Sequence, residues 1–229
     1  MQTLDDLVRQ GKVRYIGFSD TPAWKCAQAQ TMAKLRSWAP LVALQIEYSL
    51  LERTVEGELI PMAMEMGLGV TPWSPLKYGI LSGKYTRENR HKIETDRGDW
   101  VTGHLAKDKT YDVIDVLIAL AKEVSASPAQ VALSWLQSKA GVVSSIIGAR
   151  KLTQLEDNLG ALDLKLSPDQ IAKLEKVTEP KLNFPADFLK GAGSFMAAET
   201  SINGELSSAS ALAPKSDAER YDNMVGAKY

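Results

Sequence analysis

The sequence predicts an α/β fold in which parallel strands alternate with helices. Three observations carry this expectation. Short apolar runs begin near Val13, Leu41 and Leu68, 28 and 27 residues apart, a spacing that fits one strand, one helix and two short loops. Helical patterns fill the intervals, with glycine or capping residues at their ends. The runs themselves are apolar without alternation, as strands of a parallel sheet covered on both faces are.

The elements follow in order. Thr3 to Gln10 spaces Leu4, Leu7 and Val8 three and four apart, as on one helical face, and Gly11 stops it. Val13 to Phe18 is rich in β-branched and aromatic residues and reads as the first strand. Ser19-Asp20-Thr21-Pro22 is a helix start, opening a helix to about Trp38. Leu41 to Ile46 is the second strand, and a helix from about Thr54 to Met66 ends at Gly67. Leu68 to Thr71 is the third strand. A polar, charged loop from Lys77 to Thr110 precedes two helices, Tyr111 to Val124 and Ser127 to Lys139, the second opened by the cap Ser127-Pro128. Val142 to Ile147 is the fourth strand, followed by a helix from Leu152 to about Ala161. The pattern degrades from Lys181, and Ser207 to Ser216 is small, polar and Ala/Ser-rich. The chain thus divides into a folded part, 1–180, and a partly disordered tail, 181–229.

The 229 residues are 45% hydrophobic and 24% charged, ordinary values for a soluble globular protein with a real core. A formal net charge of −1 gives no electrostatic reason to expect nucleic acid or an anionic membrane as partner. The single cysteine, Cys26, excludes an intrachain disulfide or a multi-cysteine zinc site and reads as a small, partly buried hydrophobe in the first long helix. Two histidines, His91 and His104, argue against a His-rich metal centre; both fall in the charged loop and are expected to be solvent-exposed without a catalytic role. No stretch approaches the roughly 18 apolar residues of a membrane helix. The N-terminus lacks a signal pattern, so a soluble, cytoplasmic protein is expected. Four βα units are half of an eight-fold barrel. The first strand lacks the Gly-x-Gly-x-x-Gly turn of a doubly wound dinucleotide domain.

Four blocks match one family in order and spacing: Gly11-Lys-Val-Arg-Tyr-Ile-Gly-Phe-Ser19, Gln45-Ile-Glu-Tyr-Ser-Leu-Leu-Glu-Arg53, Gly69-Val-Thr-Pro-Trp-Ser-Pro-Leu-Lys-Tyr-Gly-Ile-Leu-Ser-Gly-Lys-Tyr85 and Ile146-Ile-Gly-Ala-Arg-Lys-Leu-Thr-Gln-Leu-Glu-Asp-Asn158. Over roughly Thr3 to Thr178 the chain resembles the second half of the aldo-keto reductases, (β/α)8 barrels that reduce carbonyls with NADPH. The resemblance implies a partial (β/α)8 (TIM) barrel whose four parallel βα units are equivalent to strands five to eight, plus extra helices.

The resemblance also implies roles. Ser19, Asp20 and Gln45 fall where the family grips the nicotinamide carboxamide, which needs both donors and acceptors. The family usually has Asn where this chain has Asp20, so one donor is lost. Trp73 falls where an aromatic ring stacks on the nicotinamide. Ser74, Leu76, Gly79, Leu81 and Gly83 match the loop passing over the pyrophosphate, where small residues let backbone approach phosphate oxygens. Gly148, Ala149, Arg150, Gln154, Asp157 and Asn158 match the adenosine end. Arg150 there implies a fork for the 2′-phosphate and a preference for NADPH over NADH. Taken singly these residues have plainer readings: Trp73 as a core aromatic, Ser19 as a helix cap, Gln45 as a buried amide, Arg150 as a solvated helix-end residue.

The family's proton-donating Tyr, with its Lys, Asp and His, belongs to the first four strands. The tyrosines here (Tyr15, Tyr48, Tyr78, Tyr85, Tyr111, Tyr221 and Tyr229) match other positions or none. The chain therefore reads as a half-barrel without catalytic residues, its open edges covered by a second copy in a homodimer. Three functions are compatible: an NADPH-binding half-barrel of weak or no activity, an active reductase with substitute or partner-supplied residues, and a non-catalytic structural or regulatory module.

Overall fold

A computed structural model describes residues 1–90, 98–196, 201–202 and 205–206. The chain divides into two units, Met1–Lys181 and Leu182–Tyr229.

In the first unit β1 (Ile16–Ser19), β2 (Leu41–Glu47) and β3 (Gly69–Trp73) form a parallel sheet of order β1-β2-β3. The register sets Phe18, Leu44 and Val70 side by side, then Ser19, Gln45 and Thr71, with Glu47 opposite Trp73. Because side chains alternate along a strand, Leu44, Ile46 and Val70 share one face, at most 1% exposed. The core they enter takes Cys26 and Ala29 from α2 (Ala23–Arg36) and Ile60 and Ala63 from α3 (Leu59–Glu65). The other face carries Gly17, Ser19 and Gln45, all exposed. The expectation of a sheet buried on both faces is thereby corrected: unbroken apolarity in β1–β3 reflects one covered face and small or amide residues on the other.

The fourth strand is corrected too. Residues 141–147 run beside β3 and exchange backbone bonds with it: Val70 N to Gly141 O at 2.8 Å, Val143 N to Val70 O at 3.0 Å and Ile146 N to Pro72 O at 2.8 Å. Only an isolated parallel bridge, Val70 with Val142, results. Val143 is 67% exposed, so burial on the outer side gives no reason to extend the ladder.

The helices are α1 (Gln2–Arg9), α2, α3, α4 (Asp99–Leu105), α5 (Asp108–Glu123), α6 (Pro128–Gln137), α7 (Leu152–Leu159) and α8 (Pro168–Val177). The helix expected over 54–66 splits into a 3₁₀ turn, Thr54–Glu56, and α3. The loop expected over 77–110 contains a 3₁₀ stretch, Lys77–Ser82, and α4. Its Ile80, Tyr85, Val101 and Leu105 form a second small core with Tyr111 and Ile114 of α5. His104 therefore lies half-buried on a helix rather than exposed in a loop, whereas His91 falls outside the described residues. Cys26 is fully rather than partly buried, and burial raises its thiol pKa. Among the described residues no single helix is long and apolar enough to cross a membrane.

The second unit holds α9 (Ala186–Met196) and a short antiparallel pair, Ser201–Ile202 with Glu205–Leu206. Regular structure thus occurs within the segment expected to be a loose tail, while Ser207 to Ser216 lies outside the described residues.

Candidate functional site

The site is built where β3 ends. After Trp73 the chain turns through left-handed backbone at Ser74, Lys77, Tyr78 and Gly79, with φ of 51°, 45°, 56° and 89°. Left-handed geometry costs a non-glycine residue about 1–2 kcal/mol. Local bonds offset it: Lys77 N to Ser74 O at 2.8 Å, Tyr78 N to Ser74 Oγ at 3.1 Å and Ser82 Oγ to Gly79 O at 2.8 Å. At Gly83 φ is 81° and an added Cβ would lie 2.7 Å from Pro128 Cγ, so only glycine lets the loop return against α6.

Between this loop and residues 146–158 lies a cavity of about 820 Å³. Ser74, Leu76, Gly79, Gly148, Ala149, Arg150, Gln154, Asp157 and Asn158 all line it. Leu81 does not: its side chain is fully buried in the core behind the loop. Gly83 is likewise outside the lining, against Pro128. The first turn of α7 borders the cavity, where its amides and dipole favour negative charge. Gln154 Oε1 accepts from Arg150 N at 3.0 Å and fixes the approach to that turn. Asp157 accepts from Ser127 Oγ at 2.8 Å, and Asn158 is buried.

The sequence reading missed Pro75, Tyr78, Ser82, Lys84, Ala129, Ile146 and Ile147, which also line the cavity. Lys84 follows directly on Gly83, and a cation after a glycine-containing loop was a readable signal for an anion site. Ala129 had none, since only tertiary packing brings the start of α6 to this wall.

The remaining predicted positions stand at the sheet end, apart from this lining. Ser19 and Gln45 are register neighbours on the exposed face, so Gln45 is not a buried amide. Asp20, at φ 47°, donates its amide to Gln45 O at 3.0 Å. Its carboxylate accepts from Ser19 Oγ at 3.2 Å and from the Trp73 indole Nε1 at 3.0 Å. Trp73 is half-buried, not a core aromatic. A smaller hollow of about 360 Å³ is lined by Asp20, Glu47, Glu52 and Trp73 among others.

Burial and a bond to Glu56 Oε1 at 2.8 Å push the Tyr48 phenol pKa far up. Burial, with Lys77 and Lys107 nearby, pushes the His104 pKa down against a weaker opposing effect of Glu52. Among the described residues no group of His, Cys, Asp or Glu is arranged to hold a metal ion.

Residues 1–179 match the model of the aldo/keto reductase family. The chain is 37% identical over 177 residues to an uncharacterized oxidoreductase, YrpG, of Bacillus subtilis (strain 168), covering 77% of this chain and 52% of that protein. It is 33% identical over 190 residues to a putative aryl-alcohol dehydrogenase, AAD10, of Saccharomyces cerevisiae, covering 82% and 66%. To an aryl-alcohol dehydrogenase [NADP(+)] of Phanerodontia chrysosporium it is 34% identical over 190 residues, covering 81% and 49%. The chain thus spans half to two thirds of the length of these relatives. With its βα order, its glycine-bearing loop after β3 and the matched residues 1–179, the chain belongs to the aldo/keto reductase family.

Proposed function

We propose that the chain binds NADPH in the 820 Å³ cavity and supplies the cofactor-holding part of a reductase of aldehydes and ketones. One observation carries the reading. Residues from Ser74 to Gly79 and from Gly148 to Asn158, far apart in sequence, surround a single hollow. Its volume lies within the range of small-molecule sites. Its donors suit a phosphorylated ligand: two cations, Lys84 and Arg150, two hydroxyls, Ser74 and Ser82, and the start of α7. Leu76, Ile146 and Ile147 give the apolar surface a purine requires.

In this reading Arg150 forks onto the 2′-phosphate, Lys84 sets a point charge at the pyrophosphate, and Gln154 and Asn158 meet the adenine edge. Leu81 and Gly83 support the loop from behind. Trp73 walls the nicotinamide, while Ser19 and Gln45 offer donors and acceptors to its carboxamide; Asp20 instead holds the Trp73 indole. When bound, the nicotinamide supplies the hydride. The carbonyl oxygen takes its proton from a group outside these elements, so no residue here is assigned a catalytic role. In barrel terms β1, β2 and β3 correspond to strands five to seven and residues 141–147 to the eighth. Aryl alcohols and their aldehydes are the proposed substrate class, since both the yeast and the Phanerodontia relatives named above are called aryl-alcohol dehydrogenases.

NADPH fluorescence titration tests the reading. Arg150→Ala should weaken NADPH binding about ten- to a hundredfold, the value of a charge-assisted bond, and NADH binding far less. Equal losses would remove the 2′-phosphate from Arg150. NADPH consumption with 4-nitrobenzaldehyde reports whether turnover accompanies binding.

A further inference from the structure

The loop that walls the cavity is fastened by a charge pair between a buried lysine and a half-buried glutamate, and we infer that Lys77 and Glu47 are positioning residues for the cofactor site. The Lys77 side chain is 3% exposed, with Nζ 2.8 Å from Glu47 Oε1 and 3.9 Å from Glu52 Oε2. Its backbone and that of Tyr78 are left-handed.

Folding stability alone does not select this arrangement. A buried lysine–glutamate pair loses in desolvation about what it gains in attraction, and apolar residues of similar volume hold a loop at least as well. Left-handed backbone suits glycine better than lysine. What a charge pair adds is a defined geometry, because the buried ammonium has one carboxylate oxygen, Glu47 Oε1, at hydrogen-bond distance, with Glu52 Oε2 farther off. Glu47 closes β2 opposite Trp73 and lines the smaller hollow with it. Lys77 stands between Ser74 and Gly79, both of which face the larger cavity. The pair therefore references the phosphate-facing loop to the strand end that carries the nicotinamide-facing residues. The two ends of an extended dinucleotide need that fixed separation. The inference rests on the proposed reading of the larger cavity.

The test compares wild type with Lys77→Met and with the double variant Lys77→Met/Glu47→Gln, which leaves no buried charge stranded. Amide hydrogen exchange at Tyr78 and Gly79, without nucleotide, reports the loop directly. In the folded double variant those amides should exchange about tenfold faster. NADPH and NADH binding should weaken by one common factor, because discrimination of the 2′-phosphate lies with Arg150. Unchanged exchange at Tyr78 and Gly79 overturns the inference. So does unfolding of the double variant, which would assign the pair to stability alone. Wild type that binds neither nucleotide overturns the cofactor reading instead, and the exchange comparison still decides the fastening.

Discussion

His104 sits on α4 with Lys77 and Lys107 close enough to disfavour its protonated form, in addition to the burial that is the larger cause. Its pKa in the fold lies below the ordinary 6.5. Between those two values the unfolded chain binds a proton that the folded chain does not, so stability falls as the pH drops through about 6.5 and levels below the folded pKa. Melting temperatures measured from about pH 8 to pH 5 should decline on the acid side, and His104→Gln should flatten that decline. Identical profiles for the two proteins would assign it to other groups. At this scale the sequence was legible where a residue's neighbours are close along the chain. The loop positions Ser74, Leu76 and Gly79, and Gly148 to Asn158 opposite them, come from two unbroken blocks. Leu81 shows the limit, because the turn at Tyr78 and Gly79 decides which side chains of that block face outward, and φ is not written in residue type. His104 was misplaced for a related reason, as a helix of 7 residues, about two turns, is too short to show a periodic signal.

Among the elements, α6 and α8 begin with the same device. Ser127 accepts from Gln130 N at 3.1 Å while Gln130 Oε1 accepts from Ser127 N at 3.1 Å. Ser167 and Gln170 repeat the exchange at 3.3 and 2.9 Å. Each is a capping box with proline in the first turn. The two serines nevertheless differ, since Ser127 Oγ also donates to Asp157 on the cavity wall. Ser167→Ala should cost about 1 kcal/mol of stability and leave NADPH binding unchanged. Ser127→Ala should cost a similar amount and also weaken binding several-fold, because the Asp157 carboxylate loses its donor beside a site for phosphates. Thermal unfolding and titration on both variants separate the two effects; equal binding by both would detach Asp157 from the site. The spacing that revealed β1, β2 and β3 is a property of each strand with its own following helix. The run from Val142 to Ile147 has the same composition, yet whether a strand forms there depends on a partner for its far side. α8 carried a readable start, Ser167-Pro168-Asp169-Gln170, of the kind already recognised at Ser127-Pro128. α4 carried none.

Across the whole molecule the sheet is covered on one face and bare at Ser19 and Gln45 on the other. Tyr15, just before β1, and Trp24 and Leu35 on α2 are 76%, 62% and 78% exposed. Exposed aromatic and aliphatic groups invite association, as does the open edge of β1, and we propose that a second copy of the chain covers them. Light scattering on the purified chain should give twice the chain mass, falling toward the monomer when Trp24 and Leu35 are both replaced by Lys; a wild-type monomer at high concentration would reject the dimer. The bond from the Trp73 indole to Asp20 has a consequence of another kind. With its N–H held by Asp20, the ring has fewer orientations about its side-chain bonds, and that part of its ordering belongs to folding rather than to any later encounter. The proposed nicotinamide would then meet, at the end of the sheet, a surface already partly ordered.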